Sequence, residues 1–404
     1  MVKQFLSDEM KFDPENFPAR PAWVEIDLAR LRQNLRLIRR DLPAPVRLMA
    51  VDKDEAYGHG ALDVARLAGE EGAWGFGLST LEEAMALRDA GITAPLLLLG
   101  ERQEAELEWC VAHDLTVCVN EPHTVRALAR VAAGFDKQVP VHLKIHTGMS
   151  RYGVRWDEAL PLVEQILAAK SLRLEGVMSH FAQSDEPDKT FANLQQSRFN
   201  EVLNSLAARK IPVHLRHLCN SGGFLDLPPA HLDMVRVGIL LHGVYPSTSC
   251  RRIPGIEPVM SVKAKIAAIQ TLKPGETVGY GMRFRADSER RIAILPIGYG
   301  DGFPRVRNEG CALIHGRRAP LVGGVAMDAI TVDITHIPQA QMWDEAVIMG
   351  SQGSEEITVR DVAKLKNSVT YDVLTSWRLR LRRKNVNGPG TTQSASTPME
   401  TASA

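Results

Sequence analysis

Cysteine is scarce in this chain of 404 residues: five residues, an odd number, at positions 110, 118, 219, 250 and 311. Their long, uneven spacings exclude a disulfide scaffold and any C-x-x-C metal pair, and suit reduced thiols in a cytoplasmic protein. Net charge is missing too. Lys+Arg and Asp+Glu both total 48, so there is no global field to draw nucleic acid or an anionic membrane, and neither is expected as a partner. Long apolar runs are absent: PLLLLG (95–100) is strand length, far short of the ~20 residues a spanning helix needs. The N-terminus has no apolar stretch of signal-peptide length and carries acids early, so secretion is not expected. With 24% charged residues and no dominant short repeat, collagen, coiled coil and wholesale disorder are excluded.

What is present is length, 45% hydrophobic residues and a rhythm. From residue 47, β-rich segments end in polar residues and alternate with helical stretches. Strands are expected at 47–52, 74–78, 95–99, 115–119, 139–145, 174–179, 214–218 and 232–237, with helices at 61–71, 80–90, 102–112, 121–133, 157–170 and 189–209. That alternation over about 190 residues predicts α/β architecture, a (β/α)8 TIM-type barrel, with a doubly wound open sheet as the alternative. Upstream, WVEIDL (23–28) reads as a strand that could pair with a later β domain, and 29–42 as an amphipathic helix. After residue 250, short strands alternate with Gly/Pro turns, which predicts an all-β C-terminal domain. The expected organisation is an N-terminal extension (1–22), a barrel (23–250), a β domain (251–384) and a disordered Gly/Ser/Thr/Pro tail (385–404).

A barrel carries its chemistry at the C-terminal ends of its strands. Strand one ends in Lys53, followed by Tyr57, Gly58 and His59. Strand five runs into Lys144, His146 and Arg151, and strand six into His180. Strand seven runs into Asn220, Ser221, Gly222 and Gly223, and strand eight carries Arg236 and then Gly238. Each has a bland reading, as a solvated lysine, a surface arginine, a core histidine or an ordinary turn. Five strand ends of one character argue against all the bland readings together. Small-residue loops after late barrel strands suit a phosphate. A lysine in a partly dry mouth suits covalent attachment to a carbonyl. Together they point to pyridoxal phosphate. No Walker loop is present. GYGDG (298–302) lies in the β region with no helix after it, so it is not a dinucleotide fingerprint. His214 and His217 would point to opposite faces of a strand, so no metal site is expected.

These segments resemble the alanine racemase family, the fold-type III pyridoxal-phosphate enzymes, from about Trp23 to Arg383. VDKDEAYGHG (51–60) resembles the family's lysine motif, which implies Lys53 as the cofactor-bearing lysine and Tyr57 near the phosphate. HTGMSRYG (146–153) is similar to D-T-G-M-x-R-x-G, implying Arg151 near the cofactor hydroxyl and substrate carboxylate. Lys144 matches a lysine that the family often carbamylates. SHFAQSDE (179–186) implies His180 beside the pyridine ring, and CNSGGFL (219–225) implies Ser221 on phosphate. VRVGILLHGVYPS (235–247) implies Arg236 on the pyridine nitrogen, with Gly238 and Ile239 backbone on phosphate. VGYGMRF (278–284) implies Tyr280 as a second catalytic base. PIGYGDGFPR (296–305) and AMDA (326–329) imply Tyr299, Met327 and Asp328 at the substrate entrance, with Met327 touching substrate. TYDVLTSWRLR (370–380) implies Tyr371 as a further phosphate contact.

The resemblance implies a two-base racemisation of alanine, supplying D-alanine for cell-wall peptidoglycan, with Lys53 serving the D face and Tyr280 the L face. It also implies a homodimer with shared active sites. Both bases have reference pKa values of about 10, so both need cationic or desolvating neighbours to act near neutrality. An arginine at the pyridine nitrogen can only donate there, which favours quick reprotonation over side reactions. Serine, or a larger or basic amino acid, remains open as substrate. A fold-type III decarboxylase, a non-catalytic pyridoxal-phosphate carrier and a blank barrel scaffold are the rival readings. The chain departs from the family pattern at Asp52, Asp54 and Glu55, at His146 in place of aspartate, at the glycine before Tyr280, and in RLRLRR near the end. On a strand, residues 52 and 54 would face away from the side of Lys53, where an acid is costly unless paired.

Overall fold

The computed structural model describes residues 19–388, so residues 1–18 of the expected extension and 389–404 of the expected tail lie outside the described residues. The chain folds as two compact units. Eight parallel strands form the first: Arg47–Val51, Gly75–Leu78, Leu96–Leu98, Thr116–Val119, Val139–His146, Leu172–Met178, Leu215–His217 and Met234–Val237. They are called strands one to eight below. Strand eight pairs with strand one, Val235 opposite Leu48, and parallel pairing then runs from strand one in order to strand seven. Between strands seven and eight the ladder is replaced by backbone bonds from Asp233 N to Arg216 O and from Arg236 N to Cys219 O. The barrel is therefore nearly closed.

Local sequence explains the helices that wrap it. Thr190–Ala208 buries Ala192, Gln195, Phe199, Val202 and Leu206, a spacing of three and four that leaves the other face to solvent. Leu81–Asp89 starts from a capping box in which Thr80 and Glu83 satisfy each other's backbone N–H groups. Pro122 opens the helix Pro122–Gly134, where a missing N–H costs nothing. Inside the barrel Met49, Leu97, Cys118, Met178 and Met234 pack together. Met178 of this group also lines the cavity described below.

The second unit is mostly β. Its main sheet runs in the order Arg317–Pro320, Cys311–Ile314, Glu345–Gln352, Met260–Lys265, Ala22–Asp27, Arg382–Val386, with Glu355–Ile357 beside Glu345–Gln352. The N-terminal strand thus lies in the sheet of the C-terminal unit. A three-stranded sheet, Ala268–Leu272, Arg290–Leu295 and Ile330–Asp333, covers a small core of Leu272, Val278, Ala286, Ile292 and Val322.

The boundaries differ from the expected ones at three places. The barrel unit runs from Ile26 to Met260, not from 23 to 250, and takes in Thr370–Thr375; there the helix Thr370–Ser376 places Tyr371 beside Tyr57, with ring centroids 6.2 Å apart. Helices also persist past residue 250, at Val359–Lys366 and Thr370–Ser376. Finally, the segment expected as tail begins in a strand, since Arg382–Val386 runs through Asn385, whose side chain donates to Asp63. Among the described residues no helix is long and apolar enough to cross a membrane.

Candidate active site

Strand one ends at Val51, and the chain then turns sharply. Asp54, Glu55, Ala56 and Tyr57 all adopt left-handed backbone, with φ from 53° to 56°. Four consecutive non-glycine residues in that region are costly, at about 1–2 kcal/mol each, and persist only where the surroundings hold them. Here Glu83 accepts from Asp54 N at 2.6 Å and Glu55 accepts from Ala61 N at 3.3 Å. Residues 52 and 54 therefore do not share a strand face as expected. Asp54 is exposed on the turn, while Asp52 is fully buried with neither carboxylate oxygen hydrogen-bonded. Burial, then the charges of Glu83 and Glu55, raises the Asp52 pKa well above the usual carboxylate range.

The turn brings Lys53 and Tyr57 into a cavity of about 470 Å³ at the C-terminal ends of the strands. Lys144, Arg151, His180, Ser221, Arg236, Gly238, Ile239 and Tyr371 line it as well. Ten sequence-derived candidates thus meet in one place. Burial, then the Arg151 charge, lowers the Lys53 pKa and favours the free amine. Lys144 is nearly buried. Its Nζ donates to Leu99 O at 2.9 Å and lies 5.2 Å from the Tyr152 ring, and burial lowers its pKa.

One side of the cavity is a cradle of hydroxyls around Gly238. A Cβ on Gly238 would lie 2.4 Å from Tyr57 Oη, so only glycine lets the phenol close onto this backbone. Gly238 N donates to Ser221 Oγ at 3.2 Å. Burial pushes the phenols of Tyr57 and Tyr371 upward, so both remain O–H donors.

The floor is Arg236, 2% exposed. It donates from Nη2 to Ser179 O at 2.7 Å, to His180 Nδ1 at 3.1 Å and to Leu218 O at 3.2 Å, and from Nη1 to His217 Nδ1 at 2.9 Å. Guanidinium only donates, so His180 Nδ1 is an acceptor and its proton sits on Nε2. Burial, then Arg236 and Arg151, drives the His180 pKa well below that of free imidazole and keeps the ring neutral. No carboxylate pairs with Arg236 among the described residues. Burial pushes its pKa down to about 10, and it stays charged at neutrality.

His146, which stands in place of the aspartate of the similar motif, accepts backbone N–H groups in the loop that carries Arg151. Its Nδ1 accepts from Gly148 N at 3.1 Å and Ser150 N at 3.3 Å.

Four candidates do not line the cavity: Tyr280, Tyr299, Met327 and Asp328 belong to the β unit. Tyr280 follows Gly279 (φ 68°), opens a 3-10 turn and is 85% exposed. Tyr299 N donates to Ala326 O at 3.1 Å and Gly300 N to Met327 O at 2.7 Å, which stitches the two entrance segments together. Asp301, buried between Arg20 and Arg380, anchors them, and Arg20 also donates to Asp328 O.

The sequence reading missed Arg102, Tyr152 and Asp185, which also line the cavity. Arg102 follows strand three and donates to Ser79 O at 2.9 Å. The strand-end rule would have found it had strand three been inspected. Asp185 lies inside the SHFAQSDE segment but was not singled out.

Fold and site together define a class: a (β/α)8-barrel enzyme with a desolvated lysine and a donor-lined cradle at its mouth. Profiles described as "Alanine racemase, N-terminal domain" and "Alanine racemase, C-terminal domain" match residues 26–246 and 259–385. The chain is 40% identical over 356 residues to the alanine racemase of Syntrophobacter fumaroxidans, covering 88% of this chain and 95% of that protein. It superposes on alanine racemase of Clostridium difficile 630 with a TM-score of 0.86 at 32% identity, covering 91% of this chain and 96% of that one. Histidine racemase of Leuconostoc mesenteroides superposes with a TM-score of 0.83 at 28% identity, covering 91% and 99%. The chain belongs to the alanine racemase family.

Proposed function

We propose that this chain interconverts L- and D-alanine with pyridoxal 5′-phosphate held in the barrel cavity, and that Lys53 and Tyr280 move the Cα proton. The observation that carries the reading is a lysine with a lowered pKa in one cavity with a carboxylate-free arginine floor and a hydroxyl cradle. The donor set suits the cofactor at each end. Tyr57, Ser221, Tyr371 and the backbone at Gly238 and Ile239 would hold the phosphate. Arg236 would donate to the ring nitrogen, and Lys53 would carry the carbonyl end. When bound, the cofactor supplies an electron sink that acidifies the substrate Cα–H.

The residues then divide the labour. Lys53 Nζ, its pKa lowered by burial and by Arg151, takes or returns the proton on one face. Tyr280 Oη serves the opposite face. Arg151, on the loop that His146 caps, holds the substrate carboxylate, and a carbamate on Lys144 would hold Arg151. Neutral His180 presents Nε2–H. Arg236, fixed by four acceptors, would donate to the ring nitrogen without giving up a proton, which would favour fast reprotonation over decarboxylation or transamination. Tyr299, Met327 and Asp328 would frame the substrate entrance.

Tyr280 is exposed on its unit, which supports a two-fold homodimer in which the partner subunit donates this tyrosine. Five unpaired cysteines support a cytoplasmic setting, and D-alanine for peptidoglycan is the use that follows. The test is chiral analysis of products from L-alanine, L-serine, L-histidine and L-lysine, with CO2 measured alongside. Racemised alanine without CO2 is expected. CO2 release, or racemisation of another amino acid but not alanine, would overturn the reading.

A further inference from the structure

Below the cavity floor the barrel interior holds polar side chains that the reaction does not touch. Two buried histidines, His142 on strand five and His217 on strand seven, lie edge to face with centroids 4.9 Å apart. His142 Nδ1 is 2.8 Å from His217 Nε2, and His142 Nε2 is 3.3 Å from Glu175 Oε2. The other carboxylate oxygen of Glu175 accepts from Arg173 at 3.0 Å. With the bond from Arg236 Nη1 to His217 Nδ1 at 2.9 Å, the four side chains form one line across the barrel.

The two ends dictate the direction of every bond between them. Arg236 can only donate, so His217 Nδ1 accepts and the His217 proton is on Nε2. That proton goes to His142 Nδ1, so the His142 proton is on Nε2 and goes to Glu175, which as a carboxylate can only accept. No other pair of neutral tautomers satisfies all three contacts. Burial lowers the pKa of both imidazoles and keeps them neutral. Burial alone would raise the Glu175 pKa, but the hydrogen bond from His142, with Arg173, leaves it below the usual value and the group ionised. The slot is also built for this ring: a Cβ on Gly176 would lie 2.9 Å from three atoms of the His142 imidazole.

We propose that Glu175 is a positioning residue for Arg236. It ends a one-way hydrogen-bond chain through His142 and His217 that fixes which edge of the guanidinium faces the cavity. Its kinetic consequence rests on the reading of Arg236 as the partner of the cofactor ring; its tautomer consequence does not. Without the terminal acceptor, the His142 Nε2–H is left unpaired in the barrel interior. The reversed tautomers then compete, and they would set an N–H of His217 against an N–H of Arg236.

The test uses the cofactor-loaded protein labelled with nitrogen-15 in histidine. In the wild type, His142 and His217 should both be neutral and protonated on Nε2 at neutral pH. In Glu175→Ala both should show mixed tautomers, with kcat lowered about tenfold and KM nearly unchanged. Glu175→Gln keeps an acceptor oxygen and should restore the tautomers and bring kcat to within about threefold of wild type. Gly176→Ala, which displaces the His142 ring, should reproduce the Glu175→Ala pattern. A wild-type His217 protonated on Nδ1, a cationic imidazole at either position, or tautomers unchanged in Glu175→Ala would overturn the proposal. So would a Glu175→Gln as impaired as Glu175→Ala. If the racemase reading were wrong, the wild type would racemise no alanine, while the tautomer signals would still report on the chain.

Discussion

Replacing Asp52 with valine should stabilise the protein, and more so as pH rises. Asp52 follows strand one directly, is 0% exposed, and has no partner for either carboxylate oxygen. A buried polar group without a partner costs about 1–3 kcal/mol, which a branched apolar side chain of similar size would avoid. Its pKa is raised by burial and by Glu83 and Glu55. A folded state that raises an acid's pKa holds the proton after the unfolded chain has released it. Stability is therefore full below the unfolded value of about 4, and falls as pH rises from there towards the folded pKa. The gap between Asp52→Val and wild type should widen over that window. At about 2–4 °C per kcal/mol for a unit of this size, the mutant should melt about 2–12 °C higher on the alkaline side. Asp52→Asn separates charge from polarity: it should flatten the pH dependence with less gain at acid pH. Melting curves of the three proteins at matched cofactor saturation, at mildly acid, neutral and mildly alkaline pH, provide the assay. A valine variant less stable than wild type at alkaline pH would refute the reasoning, as would a gap that does not change with pH.

Lys53→Ala should abolish racemisation, and borohydride should then fix no cofactor mass to the chain; mass mapping to another lysine would defeat the assignment. Gly238→Ala should weaken cofactor retention at least about tenfold in an equilibrium titration, because its Cβ would lie 2.4 Å from Tyr57 Oη and force the phenol out of the cradle. Lys53→Ala and Tyr280→Phe homodimers should each be nearly inactive, whereas co-refolded random mixtures should recover about a quarter of wild-type site activity if the tyrosine is donated in trans. Continued inactivity, with mixed dimers confirmed by mass spectrometry, would rule out the shared site.

Much of the barrel is local and was legible in the chain. Each strand is a short, mostly apolar run, and most are followed within a few residues by polar ones. The helix Thr190–Ala208 falls within one residue of its expected 189–209, because its buried positions repeat at three and four. Strand-end residues were informative because a closed parallel barrel projects all its C-terminal ends to one mouth. Lys53, Lys144, His180, Ser221 and Arg236 therefore meet although they span 184 positions of sequence. Long motifs in order carried the rest, including Tyr371, whose segment comes late in the chain yet folds with the barrel.

Tertiary structure alone decided the features with no local signature. Left-handed backbone at four non-glycine residues, Asp54 to Tyr57, reads in sequence as the continuation of a strand, and only the surrounding hydrogen bonds hold it. Whether an acid next to Lys53 was paired could not be read from its identity; Asp52 has no partner because strand one turns it into the interior. The line from Glu175 through His142 and His217 to Arg236 joins strands six, five, seven and eight. Its contacts depend on the register and tilt with which those strands close the barrel. A hydrogen bond is made or lost over a few tenths of an ångström, whereas hydrophobic periodicity tolerates much larger errors. The chain of amino acids thus specifies which elements form and which ends carry chemistry, and the closed barrel decides which polar atoms touch.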